Sequence, residues 1–198
     1  MSSEPFRINE IFQSIQGEGF FAGTPCTFIR FAGCNLSCPY CDTTHEKANL
    51  TLTTRELIEL LRLNRYRPPL LVLTGGEPTL QITAELIQAL RNEYYTIAIE
   101  TNGTKPVLEG IHHIAVSPKV SNSTLRRNFP HGVDELRYPI NVTDDLPDPT
   151  IEADHYYLSP IYQGNKLDKR NLEHAFLLCL ANPRWKLSVQ VHKLLNVR

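Results

Sequence analysis

Leu70-Leu71-Val72-Leu73-Thr74-Gly75-Gly76-Glu77-Pro78 is a short apolar run that stops in a glycine loop. Its length and its flanks read as a buried strand with a turn at the end. Working outward, Thr27-Phe28-Ile29-Arg30-Phe31 is β-rich. Thr53 to Leu61 has helical apolar spacing, with Thr53 as N-cap and Glu56 three residues on, a capping-box pattern. A second helix runs from Thr79 or Gln81 to Asn92, with Leu86, Ile87 and Leu90 on one face. Thr96 to Glu100 and Ile114 to Val116 are strands that end in Asn102-Gly103 and Ser117-Pro118-Lys119. Asp134 to Ile140 and His155 to Leu158 are further strands, Leu167 to Leu180 is a helix stopped by Pro183, and Leu187 to Val191 is a last strand. Strands alternating with helices predict an α/β fold with a parallel sheet or barrel, whose chemistry sits at the strand-end loops. A closed eight-unit barrel takes ~250 residues, about 31 per unit, so this chain holds roughly six units. The expectation is a partial, open barrel. Val120 to Thr150 is dotted with proline and shows no clear helix, so outer helices are expected to be reduced there.

The chain has 198 residues, room for one domain spanning 1–198. The formal net charge of −1 is no footprint for nucleic acid or an anionic membrane. With 41% hydrophobic residues and a mean hydropathy of −0.25, the composition is that of a soluble globular protein. No apolar run is long enough for a membrane helix, and Met1-Ser2-Ser3-Glu4-Pro5 has no signal-peptide pattern, so the expected location is cytoplasmic.

Cysteine is the most informative count. Three of the five fall in Cys34-Asn35-Leu36-Ser37-Cys38-Pro39-Tyr40-Cys41, spaced C-x3-C-x2-C. An odd, clustered set does not read as a disulfide framework. Thiolates are soft ligands for iron–sulfur clusters or zinc. Three of them leave the fourth iron of a cube open, while His45 would close a Cys3His zinc site. A redox pair from Cys38 and Cys41 leaves Cys34 unexplained. Cys26 enters a strand and Cys179 lies in an apolar helix, so both read as buried small hydrophobes.

The cysteine spacing followed by Gly75-Gly76-Glu77-Pro78 resembles the radical S-adenosylmethionine superfamily. That resemblance implies a [4Fe-4S] cluster on Cys34, Cys38 and Cys41, with the open iron chelating S-adenosylmethionine. It also implies an abbreviated, partial TIM-type (β/α)6-like barrel with reduced outer helices. Ser14-Ile15-Gln16-Gly17-Glu18-Gly19, then Phe20-Phe21-Ala22-Gly23, precede the cluster. Asp42-Thr43 follows it, and Gln190-Val191-His192-Lys193 stands close to the end. This set is similar to the 7-carboxy-7-deazaguanine synthase family, from about Asn9 onward.

The family resemblance implies a radical ring contraction of 6-carboxy-5,6,7,8-tetrahydropterin to 7-carboxy-7-deazaguanine, with loss of ammonia and dependence on Mg²⁺. It implies that Ile15, Gln16 and Gly17 meet the pterin through backbone and amide groups, joined by Glu18. The alternative for that segment is a tight turn. Arg30 would pair with the substrate carboxylate, the alternative being a structural ion pair. Thr74, His192 and Arg198 would also face the substrate, and Thr43 would ligate Mg²⁺ through its hydroxyl. For S-adenosylmethionine the implied residues are Tyr40, Cys41, Asp42, Gly76, Glu77, Asn102, Ser117, Pro118 and Lys119. Where the family often reads Gln-Pro-x-Asp, this chain has Ser159-Pro160-Ile161-Tyr162. Both polar positions differ, which leaves a contact by Ser159 and Tyr162 open or made by backbone. A homodimer and an external reductant such as flavodoxin or ferredoxin are implied as partners. Two other readings stay beside this one: a glycyl-radical activating enzyme of the same superfamily, and a zinc module that uses His45.

Overall fold

The computed structural model describes residues 4–41, 43–63, 68–93, 96–164 and 166–197. Two compact units account for them: residues 1–14, 25–101 and 105–114 in one, and 15–24, 102–104 and 115–198 in the other.

In the first unit the strands are β1 (Phe6–Ile15, its last residue counted with the other unit), β2 (Pro25–Phe31), β3 (Leu50–Leu52), β4 (Leu70–Gly75) and β5 (Thr96–Thr101). Their order is β5-β4-β2-β1-β3. β2, β4 and β5 run parallel, with Arg30 opposite Thr74 and Val72 opposite Ala98. β3 closes the edge antiparallel to β1. β4 is apolar and buried from Leu70 to Leu73, as a parallel strand covered on both faces should be. Helix α1 (Thr54–Leu63) buries Leu57, Ile58 and Leu61 on one stripe. Its capping box forms: the Thr53 amide donates to Glu56 at 2.8 Å, and the Glu56 amide to Thr53 Oγ1 at 3.3 Å. Helix α2 (Ala84–Asn92) is shorter than expected. Pro78–Leu80 forms a 3-10 turn first, because the Glu77 carboxylate takes the Thr79 amide. Gln81 then reaches away to the Ala32 carbonyl at 2.7 Å, so the α-helix begins only after Thr83 caps it. Phe6, Ile8, Ile29, Phe31, Leu73 and Ile99 join these two helices in one apolar core.

The second unit takes up the chain within β6 (His113–Val116) and adds α3 (Asn122–Asn128), β7 (Val133–Ile140), β8 (Ala153–Pro160), the small hairpin β9 (Tyr162–Gln163) and β10 (Lys166–Leu167), α4 (Lys169–Ala181), β11 (Trp185–Leu187) and α5 (Val191–Leu194). β6, β7, β8 and β11 are parallel neighbours in that order. Trp185 meets Tyr138 and Tyr156 edge-on, at 5.6 and 5.4 Å between ring centres. The stretch read as helix-poor holds only the seven residues of α3, capped by Ser121. The last strand is a correction. It spans Trp185–Leu187 and not Leu187 to Val191: the Ser188 amide makes the last bond to β8, at Leu158, and beyond it the Gln190 amide turns to the Tyr162 hydroxyl and the Val191 amide to Gly17. No helix among the described residues is long and apolar enough to cross a membrane.

Candidate functional site

The cysteine loop leaves the end of β2 and is fastened at its base. The Gly33 amide donates to the His45 carbonyl at 2.7 Å, and the Glu77 amide donates to the Gly33 carbonyl at 2.9 Å. Gly76 lies so close that a Cβ there would fall 1.9 Å from the Gly33 oxygen and 3.0 Å from the Cys34 nitrogen. Only glycine lets the two loops touch. The structure therefore gives Gly76 a packing reason, where the sequence suggested approach to a methionine amine.

Cys34 and Cys38 are half-buried and Cys41 is exposed, and all three are free thiols. The Leu36 amide points at Cys34 Sγ from 3.4 Å, a backbone donor suited to a thiolate. Cys41 Sγ lies 3.6 Å from the Thr43 carbonyl. Among the described residues no three His, Cys, Asp or Glu side chains are already gathered as a metal site. The donor set itself fits a thiolate-held iron–sulfur cluster: three soft ligands on one accessible loop, pinned at its base. The other two cysteines behave as core residues. Burial, with the nearby Glu100 carboxylate adding to it, pushes the Cys26 thiol up to about 12, and burial raises Cys179 as well.

Arg30, on β2, is already paired. Its Nε donates to Glu10 at 2.9 Å and its Nη1 to Thr43 Oγ1 at 3.2 Å, with Phe12 beneath the guanidinium at 5.6 Å. Two expected residues, Arg30 and Thr43, are thus brought together, with Glu10 as a partner the sequence did not suggest. Thr74 is buried at the end of β4 and donates to Glu100 at 2.8 Å. Tyr40 is exposed. Glu77 is a correction: its side chain is fully buried and accepts from Thr79 Oγ1 at 2.6 Å, the Thr79 amide at 3.0 Å and Thr101 Oγ1 at 2.8 Å. The carboxylate braces the glycine loop from inside and does not face a ligand.

In the second unit, residues 15–24 form a tight turn. The Gln16 amide donates to the Thr24 carbonyl and the Gly23 amide to the Gln16 carbonyl, both at 2.8 Å. Ile15 stands half-buried at its start. The Gly17 carbonyl accepts from Val191 at 3.0 Å. The Gln16 backbone and the Gly17 carbonyl, expected to meet the pterin, also hold this turn and join it to α5. His192, on α5, lies against Gly17: a Cβ at 17 would fall 1.8 Å from His192 Nδ1. Those two expected residues do meet.

Glu18 gathers more. It accepts from Ser159 Oγ at 3.1 Å and Gln190 Nε2 at 3.3 Å, and pairs with Arg137 Nη1 at 3.5 Å. Behind it, Glu135 accepts from Arg137 Nε at 2.7 Å and from the Phe20 amide at 2.9 Å. Gly19, with φ +69°, passes so near that any Cβ would strike the Glu135 carboxylate. Ser159, expected among the S-adenosylmethionine contacts, here donates to Glu18. Tyr162 likewise accepts from the Gln190 amide at 3.1 Å, under Lys193 at 4.9 Å, and burial raises its phenol. Elsewhere in this unit the Lys119 amide donates to the Asn102 carbonyl at 3.1 Å, and Lys119 Nζ donates to Ser117 Oγ at 3.0 Å, with Pro118 between them half-buried. The two strand-end loops expected to act together are in contact. Asp42 and Arg198 lie outside the described residues.

Glu10, Glu135, Arg137, Ser188 and Gln190 went unassigned in the sequence. One signal was present: Glu135 and Arg137 are charged residues two apart in a strand, so both point to one face.

The model of the radical SAM superfamily matches residues 28–137. The chain is 38% identical over 194 residues to a 7-carboxy-7-deazaguanine synthase of Bacteroides thetaiotaomicron, covering 97% of this chain and 98% of that protein. It is 36% identical to one of Haemophilus influenzae, covering 97% and 94%. Its structure resembles the crystal structure of QueE from Escherichia coli with a TM-score of 0.72 and 25% identity, over 96% of this chain and 94% of that one. A zinc module does not account for such likeness across a whole α/β chain, and with the cysteine loop and glycine loop fastened together as described, the chain belongs to the radical SAM superfamily and, within it, to the 7-carboxy-7-deazaguanine synthase family.

Proposed function

We propose that the chain catalyses the ring contraction of 6-carboxy-5,6,7,8-tetrahydropterin to 7-carboxy-7-deazaguanine with loss of ammonia, the 7-deazapurine step used in queuosine biosynthesis. The observation that carries this reading is likeness to 7-carboxy-7-deazaguanine synthases over nearly the full length of both chains. Cys34, Cys38 and Cys41 would hold the [4Fe-4S] cluster, which with S-adenosylmethionine supplies a hydrogen-abstracting radical when bound. Asn102, Ser117, Pro118 and Lys119 would bind S-adenosylmethionine, with Tyr40, Cys41, Asp42 and the Gly76 backbone.

The chain's own residues would orient the pterin. Arg30 is steadied by Glu10, and among the described residues its Nη2 has no hydrogen-bond partner, so that edge can take the substrate carboxylate. Thr43 would contribute its hydroxyl to Mg²⁺, which keeps most of its waters. That oxygen accepts from Arg30 Nη1 at 3.2 Å, so the hydroxyl that would hold the ion stands beside the guanidinium that would hold the carboxylate. Glu18, Gln16 and His192 would read the polar edge of the ring, with Thr74 also facing the substrate. The same reading carries one radical SAM domain over residues 1–198, a homodimer, a flavodoxin- or ferredoxin-type reductant and a cytoplasmic location, with neither nucleic acid nor membrane as partner.

The test is anaerobic reconstitution with iron and sulfide, then incubation with the carboxytetrahydropterin, S-adenosylmethionine, a reductant and Mg²⁺. Mass spectrometry should find 7-carboxy-7-deazaguanine, with a lower yield when Mg²⁺ is omitted. A colourless protein with one zinc per chain, or no product together with a glycyl radical on a partner protein, would overturn the reading.

A further inference from the structure

β7 and β8 run parallel, with Glu135 opposite His155, Arg137 opposite Tyr157 and Pro139 opposite Ser159. Residues at odd positions on both strands share one face of the sheet. That face carries a chain of charged side chains anchored on a buried carboxylate. Glu135 is 1% exposed, and its Oε1 accepts from Nε and Nη2 of Arg137, at 2.7 and 2.6 Å. Two donors of one planar guanidinium on one carboxylate hold the fork in a single orientation. The Arg137 side chain, 12% exposed, presents Nη1 to Glu18 Oε2 at 3.5 Å. Ser159 also donates to Glu18 Oε1 at 3.1 Å and Gln190 to Oε2 at 3.3 Å, one neutral donor on each oxygen.

Two carboxylates held by one guanidinium sit on opposite sides of it, Glu135 buried and Glu18 half-buried. The arrangement is expensive to desolvate and gives little net stability, so structural need alone is a weak account of it. Its other consequence is orientation. Glu18 lies on a tight turn, where a side chain of that length has several rotamers, and the one present is met by Arg137 Nη1, the charged group among its partners, beside Ser159 and Gln190.

We propose that Arg137, locked by Glu135, is the positioning residue that fixes the Glu18 carboxylate as an acceptor for the N–H groups of the substrate ring. This rests on the reading of Glu18 as a substrate contact. Arg137 itself touches neither substrate nor cofactor in this scheme.

The test compares reconstituted wild type with Glu18→Gln, Arg137→Gln, Arg137→Lys and Glu135→Gln, measuring kcat and KM for the carboxytetrahydropterin and KM for S-adenosylmethionine. A charge-assisted hydrogen bond is worth about 1.5–3 kcal/mol, or roughly a 10- to 100-fold change. Arg137→Gln and Glu18→Gln should each raise the pterin KM by about that factor, with the S-adenosylmethionine KM unchanged. Arg137→Lys keeps the charge but loses the fork, and should recover part of the effect. If Glu18→Gln leaves the pterin KM unchanged, the assignment of Glu18 fails and the inference with it. If Glu18→Gln raises it while Arg137→Gln does not, only the positioning role is refuted. A merely structural role would show as equal losses for both substrates, or as no difference between Arg137→Lys and Arg137→Gln, and either outcome overturns the proposal. Should Arg137→Gln fail to fold, Arg137→Lys and Glu135→Gln decide: an unchanged pterin KM in both is also refuting.

Discussion

Gly76→Ala should damage this protein by driving a methyl group into the backbone of the cysteine loop. The new Cβ would stand 1.9 Å from the Gly33 oxygen and 2.4 Å from the Gly33 carbonyl carbon. An unstrained carbon–oxygen contact needs about 3.3 Å, so one loop must retreat by roughly 1.4 Å. Neither atom belongs to a flexible side chain that can swing away. Gly33 is held by the His45 carbonyl at 2.7 Å, and its oxygen by the Glu77 amide at 2.9 Å. A shift of that size breaks the Glu77 bond, about 1 kcal/mol, and adds an overpacking cost of about 1–3 kcal/mol. The sum is about 2–4 kcal/mol, and it falls on the segment that carries Cys34. Guanidinium unfolding of the apoprotein should show that loss, and iron bound after anaerobic reconstitution should fall well below the wild-type value. Gly23→Ala is the control: its φ is +85° with open space around it, so it should lose only the left-handed backbone cost of about 1–2 kcal/mol and keep its iron. Gly76→Ala protein with wild-type stability and full iron would refute the reasoning.

Two further outcomes follow from particular contacts. Gly17→Ala should displace the His192 ring, whose Nδ1 stands 1.8 Å from the new Cβ. Because a side chain can yield where a backbone cannot, stability should drop by only about 1 kcal/mol while the pterin KM rises. An unchanged KM would remove His192 from the site. For Cys26, the folded thiol is pushed up to about 12 from an ordinary 9.0. The unfolded chain then loses its proton first as pH rises. Stability tied to Cys26 is therefore whole below about pH 9 and declines between 9 and 12. Cys26→Ala should flatten that part of the pH–stability curve, and Cys26 should resist alkylation in the folded protein at pH 8.5. Rapid alkylation there would contradict its burial.

Much of the first unit was legible locally. The apolar run Leu70-Leu71-Val72-Leu73 became β4, and the Thr53–Glu56 box became the cap of α1, because burial on both faces and capping both act over a few neighbouring residues. Boundaries moved where a group far along the chain took a local one: Ala32 drew Gln81 away and delayed α2, and Tyr162 and Gly17 took the Gln190 and Val191 amides and ended β11 early. β1 was not read as a strand, since its ten residues show no clean alternation of burial.

The same division holds for the site. Sequence alone determined which atoms are present in reach of one another along the chain: three thiols on one loop, a glycine pair after a strand, an Asn-Gly and a Ser-Pro-Lys at later strand ends. Those depend on spacing, and spacing is a property of the chain. Tertiary structure decided what each polar group faces. Glu77 turned inward onto Thr79 and Thr101, and Ser159 turned toward Glu18, which stands 141 residues away in sequence. Arg137 became the pivot between Glu18 and Glu135. A buried charge must find its partner in space, and no local pattern in the chain records where that partner will come from.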